Sequence, residues 1–146
     1  MPNLTLPATL ESLQTVFSFI EATLPARFSA QKSNIELVAE ELLVNVFSYA
    51  YPEGHGKAEI MLEEATGENA GLLAFRVKDW GKPFNPFSEA PDPDLTSGIE
   101  SRPIGGLGVF LIRQLTEKQT YRYENSCNVI DVFFAEQPRE SEQTFF

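Results

Sequence analysis

Cysteine and histidine are scarce in this chain of 146 residues, which contains one of each. Cys127 cannot form a disulfide within the chain, and such sparse use of cysteine is typical of a reducing compartment. Together with His55 it supplies too few ligands for a tetrahedral zinc site, so the composition argues against zinc. His55 lies between Gly54 and Gly56 in a segment with turn composition, and we interpret it as a solvated loop residue.

Basic residues are also few, with 11 Lys and Arg against 21 Asp and Glu, which gives a formal net charge of −10. A surface of this charge repels nucleic-acid phosphates and anionic membranes, and no cluster of Lys and Arg offsets it. Long apolar runs are absent: no stretch approaches the roughly 20 apolar residues that span a bilayer, and the N-terminal residues do not resemble a secretion signal. We therefore expect a cytoplasmic protein that binds neither nucleic acid nor membrane.

Apolar residues, by contrast, are plentiful at 42% of the chain, which predicts one domain with its own core over residues 1–136, followed by a polar tail at 137–146. The predicted elements are strands at 3–6, 57–63, 72–78, 120–124 and 129–134, and helices at 9–24, 35–51 and 109–117. The second and third strands form one predicted hairpin, and the last two form another. The predicted buried faces are Leu10, Leu13, Phe17 and Ile20 in the first helix, and Leu107, Leu111 and Leu115 at the last. This order predicts a two-layer α/β (α+β) sandwich, with a mixed, mostly antiparallel sheet and helices on one face. The aperiodic segment 84–104 is predicted to be a mobile lid or disordered.

The predicted helix at 35–51 carries two different faces. Its apolar stripe consists of Ile35, Val38, Ala39, Leu42, Val46 and Tyr49, at steps of three and four residues. Glu41 and Asn45 lie one turn apart on a neighbouring flank, with Ser48 close to the same side. A carboxylate can accept a proton there, and an amide oxygen can bind a hard cation. The same pair is also compatible with an ordinary solvated helix edge.

Two further motifs follow along the chain. Asp79 and Gly81 begin Asp-Trp-Gly-Lys-Pro at the end of a predicted strand, where the carboxylate suits the amino group of adenine and the glycine lets a flat base approach. Gly-Gly-Leu-Gly at 105–108 opens a predicted helix, where free N–H groups and the helix dipole favour anionic oxygens. Taken singly, the first is equally an ordinary turn and the second a flexible joint.

Together the three motifs resemble the N, G1 and G2 boxes of the Bergerat-fold ATPases, a superfamily that includes gyrase, the histidine kinases and the mismatch-repair ATPases. The stretches Glu-Glu-Leu-Leu-Val-Asn at 40–45, Tyr-Ala-Tyr at 49–51 and Ser-Arg-Pro-Ile at 101–104 look most like the anti-sigma-factor serine kinases of bacteria. The resemblance covers residues 4 to about 134. It implies the Bergerat fold, with ATP and Mg²⁺ as cofactors.

The resemblance also implies roles for individual residues. Glu41 would be the general base and Asn45 the Mg²⁺ ligand, while Asp79 would bind the adenine amino group. The expected nucleotide-binding residues are Asn45, Asp79, Gly81, Pro83, Arg102, Gly105, Gly106, Leu107 and Gly108. Arg102 is included from its charge and its position in the lid, where it could reach the terminal phosphate; a solvated arginine is the alternative.

The chain departs from the family pattern at two positions, with Tyr49 where many relatives carry histidine and Asn85 where an aspartate often follows the G1 proline. Neither position belongs to the three boxes. These departures bear on partner recognition and on the lid rather than on nucleotide binding.

Two functions are therefore expected. The first is a protein serine/threonine kinase that acts on an anti-sigma-factor antagonist and also sequesters a sigma factor, and so regulates transcription. The second is a module of the same fold in which ATP only orders a partner-binding surface. A detached histidine kinase catalytic domain is disfavoured, because the only histidine lies in a turn. Homodimer formation is left open.

Overall fold

Five antiparallel strands form one sheet in this computed structural model, which describes residues 3–51, 55–89 and 106–138. The strands are β1 (Asn3–Pro7), β2 (Lys57–Glu64), β3 (Leu73–Asp79), β4 (Lys118–Glu124) and β5 (Cys127–Phe134). Their order across the sheet is β1-β2-β3-β5-β4, so β3 lies in the middle, between β2 and β5. Both predicted hairpins are confirmed, because β2 pairs with β3 and β4 pairs with β5.

One face of the sheet is apolar because the side chains alternate along each strand. On β2, Ala58, Ile60 and Leu62 are buried, whereas the residues between them are partly exposed. Ile60 pairs with Val77 of β3, and Val77 pairs with Ile130 of β5, so buried side chains of three strands align. Each fully buried aliphatic side chain of this kind contributes about 1.5–3 kcal/mol to folding.

Helices cover this apolar face. They are α1 (Ser12–Thr23), α2 (Lys32–Asn45), α3 (Pro86–Glu89) and α4 (Gly106–Leu115), with a 3₁₀ segment, Ala26–Gln31, between α1 and α2. Ile20 of α1, Leu42 of α2 and Ile112 of α4 join the strands in a single apolar cluster. The predicted two-layer α/β sandwich is thus confirmed. Its sheet was predicted to be mixed and mostly antiparallel, and every strand pair among the described residues is antiparallel. No helix within the described ranges is long and apolar enough to cross a membrane.

The buried faces of two helices differ in part from the predicted ones, although Ile20 and Leu115 are buried as predicted. Leu10, expected in the core, is 65% exposed, because α1 begins at Ser12, whose hydroxyl donates to the Pro7 carbonyl at 2.7 Å. Periodicity does not define such a helix start. In α4, Val109 is buried and Leu111 only half-buried, whereas the prediction favoured Leu111.

The helix predicted at 35–51 is continuous in the chain but not regular. Its α-helical part ends at Asn45, and a π-helical turn, Val46–Ala50, follows. A π-turn inserts an extra residue into the helical ladder and occurs frequently at functional sites. The prediction of a regular helix with 3.6 residues per turn is therefore wrong over Val46–Ala50.

The second face of the sheet carries charged side chains, arranged around one buried carboxylate. Asp131 of β5 accepts two hydrogen bonds from Arg76 of β3, at 2.7 and 3.0 Å. Arg122 of β4 lies 3.5 Å from the same carboxylate and also pairs with the exposed Glu124. The bond to Asp131 raises the pKa of Arg76, which therefore stays charged. The bidentate pair joins β3 to β5, and the Arg122 contact joins β4 to the same carboxylate.

We expect Asp131→Ala to lower the free energy of unfolding by about 1–3 kcal/mol, because it removes a charge-assisted pair from a buried carboxylate. Glu124→Ala removes the same charge from an exposed pair and should cost less than about 1 kcal/mol. Urea denaturation of both variants measures the difference. Equal costs would mean that the Asp131 network adds no more than a surface ion pair.

Candidate functional site

The side chain of Asn45, at the end of α2, is 2% exposed, and neither its amide nitrogen nor its amide oxygen has a hydrogen-bond partner in the described part of the chain. Such groups are rare in folded proteins, because leaving a buried polar group unsatisfied costs about 1–3 kcal/mol. An amide held in this way is available to a ligand. Asn45 is the residue for which the sequence predicted metal binding.

Glu41 lies one turn before Asn45 and is half-buried. Burial, with a smaller contribution from the charge of Glu40, raises the pKa of Glu41. A raised pKa is the usual adjustment of a carboxyl group that acts as a general base.

Gly108, in the first turn of α4, lies against the Glu41 carboxylate. A Cβ at this position would come within 2.6 Å of the Glu41 Cδ atom, so only glycine leaves the carboxylate where it is. The structure thus brings the first and third motifs into contact. Gly106 and Leu107 begin the same helix, which starts three residues before the predicted start at Val109, so these motif residues lie in its first turn.

The π-turn after Asn45 connects α2 to the second motif. The Ala50 carbonyl accepts a hydrogen bond from the Lys82 N–H at 3.0 Å. A Cβ on Gly81 would lie 2.7 Å from the Ala50 carbonyl carbon, so glycine is needed for this approach. The sequence explained Gly81 by the approach of a base, and the structure adds the approach of the protein's own backbone.

Tyr51 strengthens the same connection. Its hydroxyl donates to the Lys57 carbonyl at 2.5 Å and accepts from the Trp80 N–H at 2.9 Å. Because Trp80 directly follows β3 and Lys57 begins β2, one side chain joins the end of the helix to two strands.

Asp79 ends β3 and is 1% exposed. Both of its hydrogen bonds in the described residues are accepted by Oδ1, from the Gly81 N–H and from the Asn128 amide, each at 2.9 Å. Burial raises the pKa of Asp79, although these two donors act in the opposite direction. Its second oxygen, Oδ2, is available to an external donor such as an amino group.

Asn128, at the second position of β5, is a site residue that the sequence reasoning missed. It is 1% exposed and holds Asp79 from the neighbouring strand, with which it pairs in register. The available signal was a carboxamide within Cys-Asn-Val-Ile-Asp-Val-Phe-Phe, a run that is otherwise mostly apolar. The sequence alone does not show which residue of the neighbouring strand the Asn128 side chain contacts.

The remaining predicted residues divide into two groups. Pro83, the last residue of the second motif, is exposed. Arg102 and Gly105 lie outside the described residues, as do 90–104 of the predicted lid and 139–146 of the predicted tail. Of the lid, the structure describes 84–89, where the Phe84 ring stacks on Tyr49 with centroids 4.7 Å apart.

No group of three or more His, Cys, Asp or Glu that could bind a metal exists within residues 3–51, 55–89 and 106–138. Mg²⁺ in a nucleotide complex binds through one or two protein oxygens, phosphates and water. Asn45 is buried and has no hydrogen-bond partner among the described residues, so its amide oxygen fits such a role. The space kept open at Gly108 adjoins Glu41, which lies on the same helix as Asn45.

Comparisons with known proteins bear on the family and the fold of the chain. The histidine kinase-like ATPase domain family matches residues 6–134. Among solved structures, the Acinetobacter baumannii histidine kinase AdeS is similar in fold, with a TM-score of 0.52 and 15% sequence identity over 93% of this chain and 69% of that one. No curated protein matches the chain.

The two site glycines should respond differently to alanine. Gly81→Ala brings a methyl group onto the Ala50 backbone and should lower the free energy of unfolding by about 1–3 kcal/mol. Gly108→Ala meets only the end of a flexible glutamate and gains helix propensity, so its stability should stay within about 1 kcal/mol of the wild type. Thermal unfolding compares them. An equally stable Gly81→Ala would refute the backbone contact.

Glu41 should make the protein less stable at neutral pH. Because its pKa is raised on folding, the folded protein keeps this proton at pH values where the unfolded chain has lost it, and stability falls as pH rises through that window. Glu41→Gln should therefore be more stable than wild type at pH 7, with the difference shrinking below the ordinary value of 4.5. Urea titrations across pH measure this difference, and a variant less stable at pH 7 would contradict it.

Proposed function

Because the chain belongs to the family of histidine kinase-like ATPase domains, we propose that it binds ATP with Mg²⁺ and transfers the terminal phosphate to a serine or threonine of a partner protein. The partner would be an anti-sigma-factor antagonist, and the protein would also sequester a sigma factor. The observation that carries the proposal is the buried Asn45 amide, which has no hydrogen-bond partner among the described residues and lies one turn from the half-buried Glu41.

Nucleotide binding would use both ends of the site. The Asn45 amide oxygen would hold Mg²⁺, which when bound neutralises charge on the phosphates. Asp79 would accept a hydrogen bond from the adenine amino group through Oδ2, because Oδ1 is occupied by Gly81 and Asn128. The N–H groups at the start of α4 would contact the phosphates, as at other helix N-termini.

Phosphoryl transfer depends mainly on positioning and charge. In the proposed reaction Glu41 takes the proton from the attacking hydroxyl of the partner. Its raised pKa favours holding that proton, and its contact with Gly108 keeps it beside the start of α4. The oxygen of the hydroxyl bonds to the terminal phosphorus as the bond to the leaving ADP oxygen breaks.

The identity of the partners rests on the sequence resemblance. Glu-Glu-Leu-Leu-Val-Asn at 40–45 and Ser-Arg-Pro-Ile at 101–104 look like the corresponding stretches of anti-sigma-factor serine kinases. The net charge of −10 is compatible with partners that are basic proteins and not nucleic acids.

The kinase function predicts that Glu41→Ala lowers phosphoryl transfer by about 10²–10⁴-fold and leaves ATP affinity within a few-fold of wild type. Glu40→Ala, which removes the same charge from the adjacent position of α2, is the matched control and should transfer nearly as fast as wild type. The measurement is incubation of each protein with labelled ATP, Mg²⁺ and candidate antagonists from its own cell.

Two outcomes would contradict the proposal. Transfer by Glu41→Ala at the wild-type rate would mean that Glu41 is not the base. A wild type that phosphorylates no partner, but binds one only when ATP is present, would instead be an ATP-gated binding module.

A further inference from the structure

Asn128 makes four hydrogen bonds, which use the full capacity of its side-chain amide. The amide nitrogen donates to Asp79 Oδ1 at 2.9 Å and to the Lys82 carbonyl at 2.8 Å. The amide oxygen accepts from the Phe84 N–H at 3.0 Å and from the Tyr121 hydroxyl at 2.5 Å. A fully satisfied buried amide of this kind is held rigidly.

The four partners also fix which way the amide points. A carboxylate oxygen and a backbone carbonyl accept only, so both must face the amide nitrogen, and the Phe84 N–H donates only, so it must face the oxygen. Turning the amide over would break at least three of the four bonds. Asn128 therefore presents an N–H group to Asp79 in one fixed position.

The hydrogen bond from Asn128 determines how Asp79 can contact a ligand. Oδ1 already receives two donors, from Asn128 and Gly81, so the carboxylate cannot rotate without losing both. Oδ2 is left as an acceptor at a fixed place. An acceptor there attracts the amino group of adenine and repels the carbonyl oxygen that hypoxanthine carries at the same position.

Asn128 also holds the segment that leaves the second motif. Its bonds to the Lys82 carbonyl and the Phe84 N–H fix the backbone on both sides of Pro83, where the predicted lid begins. Phe84 in turn stacks on Tyr49 of the π-turn. The same side chain thus contacts the base-binding carboxylate and the first residues of the lid segment.

We propose that Asn128 is a positioning residue that sets the preference for adenine by fixing Asp79 and couples that carboxylate to the backbone at 82–84. The inference rests on the proposed binding of ATP. A carboxylate released from Asn128 can rotate or recruit water, and so discriminates less between an amino group and a carbonyl oxygen.

The test compares the affinities of ATP and ITP, which differ only at the six-position of the base, by calorimetry with Mg²⁺. We expect Asn128→Ala to lower the preference for ATP over ITP by about tenfold, the equivalent of one well-made hydrogen bond to a charged group. Hydrogen exchange in the peptide covering 82–89 should also become faster. Asn128→Ser keeps a single hydroxyl donor and should give an intermediate preference for ATP over ITP. This variant replaces Asn128→Ala in the test if the alanine variant does not fold.

Two controls separate positioning from general stability. Gln31→Ala removes an equally buried amide, which donates to the Ala135 carbonyl away from Asp79, so it should lower stability without changing the preference for ATP over ITP. Tyr121→Phe removes one bond to Asn128 and none to Asp79, and should change the preference by less than about twofold.

The outcomes distinguish this inference from the proposed function. If the wild type binds ATP but Asn128→Ala and Asn128→Ser keep the wild-type preference, Asn128 is only structural and the inference is overturned while the function stands. If Gln31→Ala reduces the preference equally, the effect is one of stability, and the inference is again overturned. A wild type that binds neither nucleotide overturns both.

Discussion

The approach of Gly81 to the Ala50 carbonyl is the constraint on which the candidate site depends. It brings the end of the first motif's helix onto the end of the central strand, and the Lys82 N–H to Ala50 hydrogen bond fixes the distance between them. Ala50 ends the π-turn Val46–Ala50, which directly follows Asn45. The backbone contact between Ala50 and residues 81–82 therefore holds the segment that carries Asn45 against the strand end that carries Asp79.

The site is energetically unfavourable in the absence of a ligand. Asn45 is buried and has no hydrogen-bond partner among the described residues, and the raised pKa values of Glu41 and Asp79 mean that burial penalises both ionised carboxylates. The apolar cluster of helices and strands offsets these costs, as is usual for proteins that keep reactive groups in place. A cation at Asn45 or a hydrogen-bond donor at Asp79 would offset part of them, and a protein gains stability from a ligand that binds only its folded state.

Most of the fold could be predicted from the sequence, because alternating strands such as β2 and β3 and a helix with a clear apolar stripe carry strong local signals. The motifs around Glu41, Asn45 and Asp79 were also recognisable by spacing. The sequence did not indicate the π-turn, because Val46–Ala50 covers only one turn, which is too short for a change of helical period to show in the pattern. It also did not indicate Asn128, since its meeting with Asp79 depends on strand register.

The central proposal is that the buried Asn45 amide, which has no hydrogen-bond partner among the described residues, binds a nucleotide-held Mg²⁺ ion. The most direct measurement is calorimetric titration of ATP into the wild type and Asn45→Ala, each with Mg²⁺ and with EDTA. The wild type should bind ATP at least about tenfold more tightly with Mg²⁺, and Asn45→Ala should lose most of that dependence. A wild type that binds ATP equally with and without Mg²⁺, or that binds no ATP at millimolar concentration, would contradict the claim.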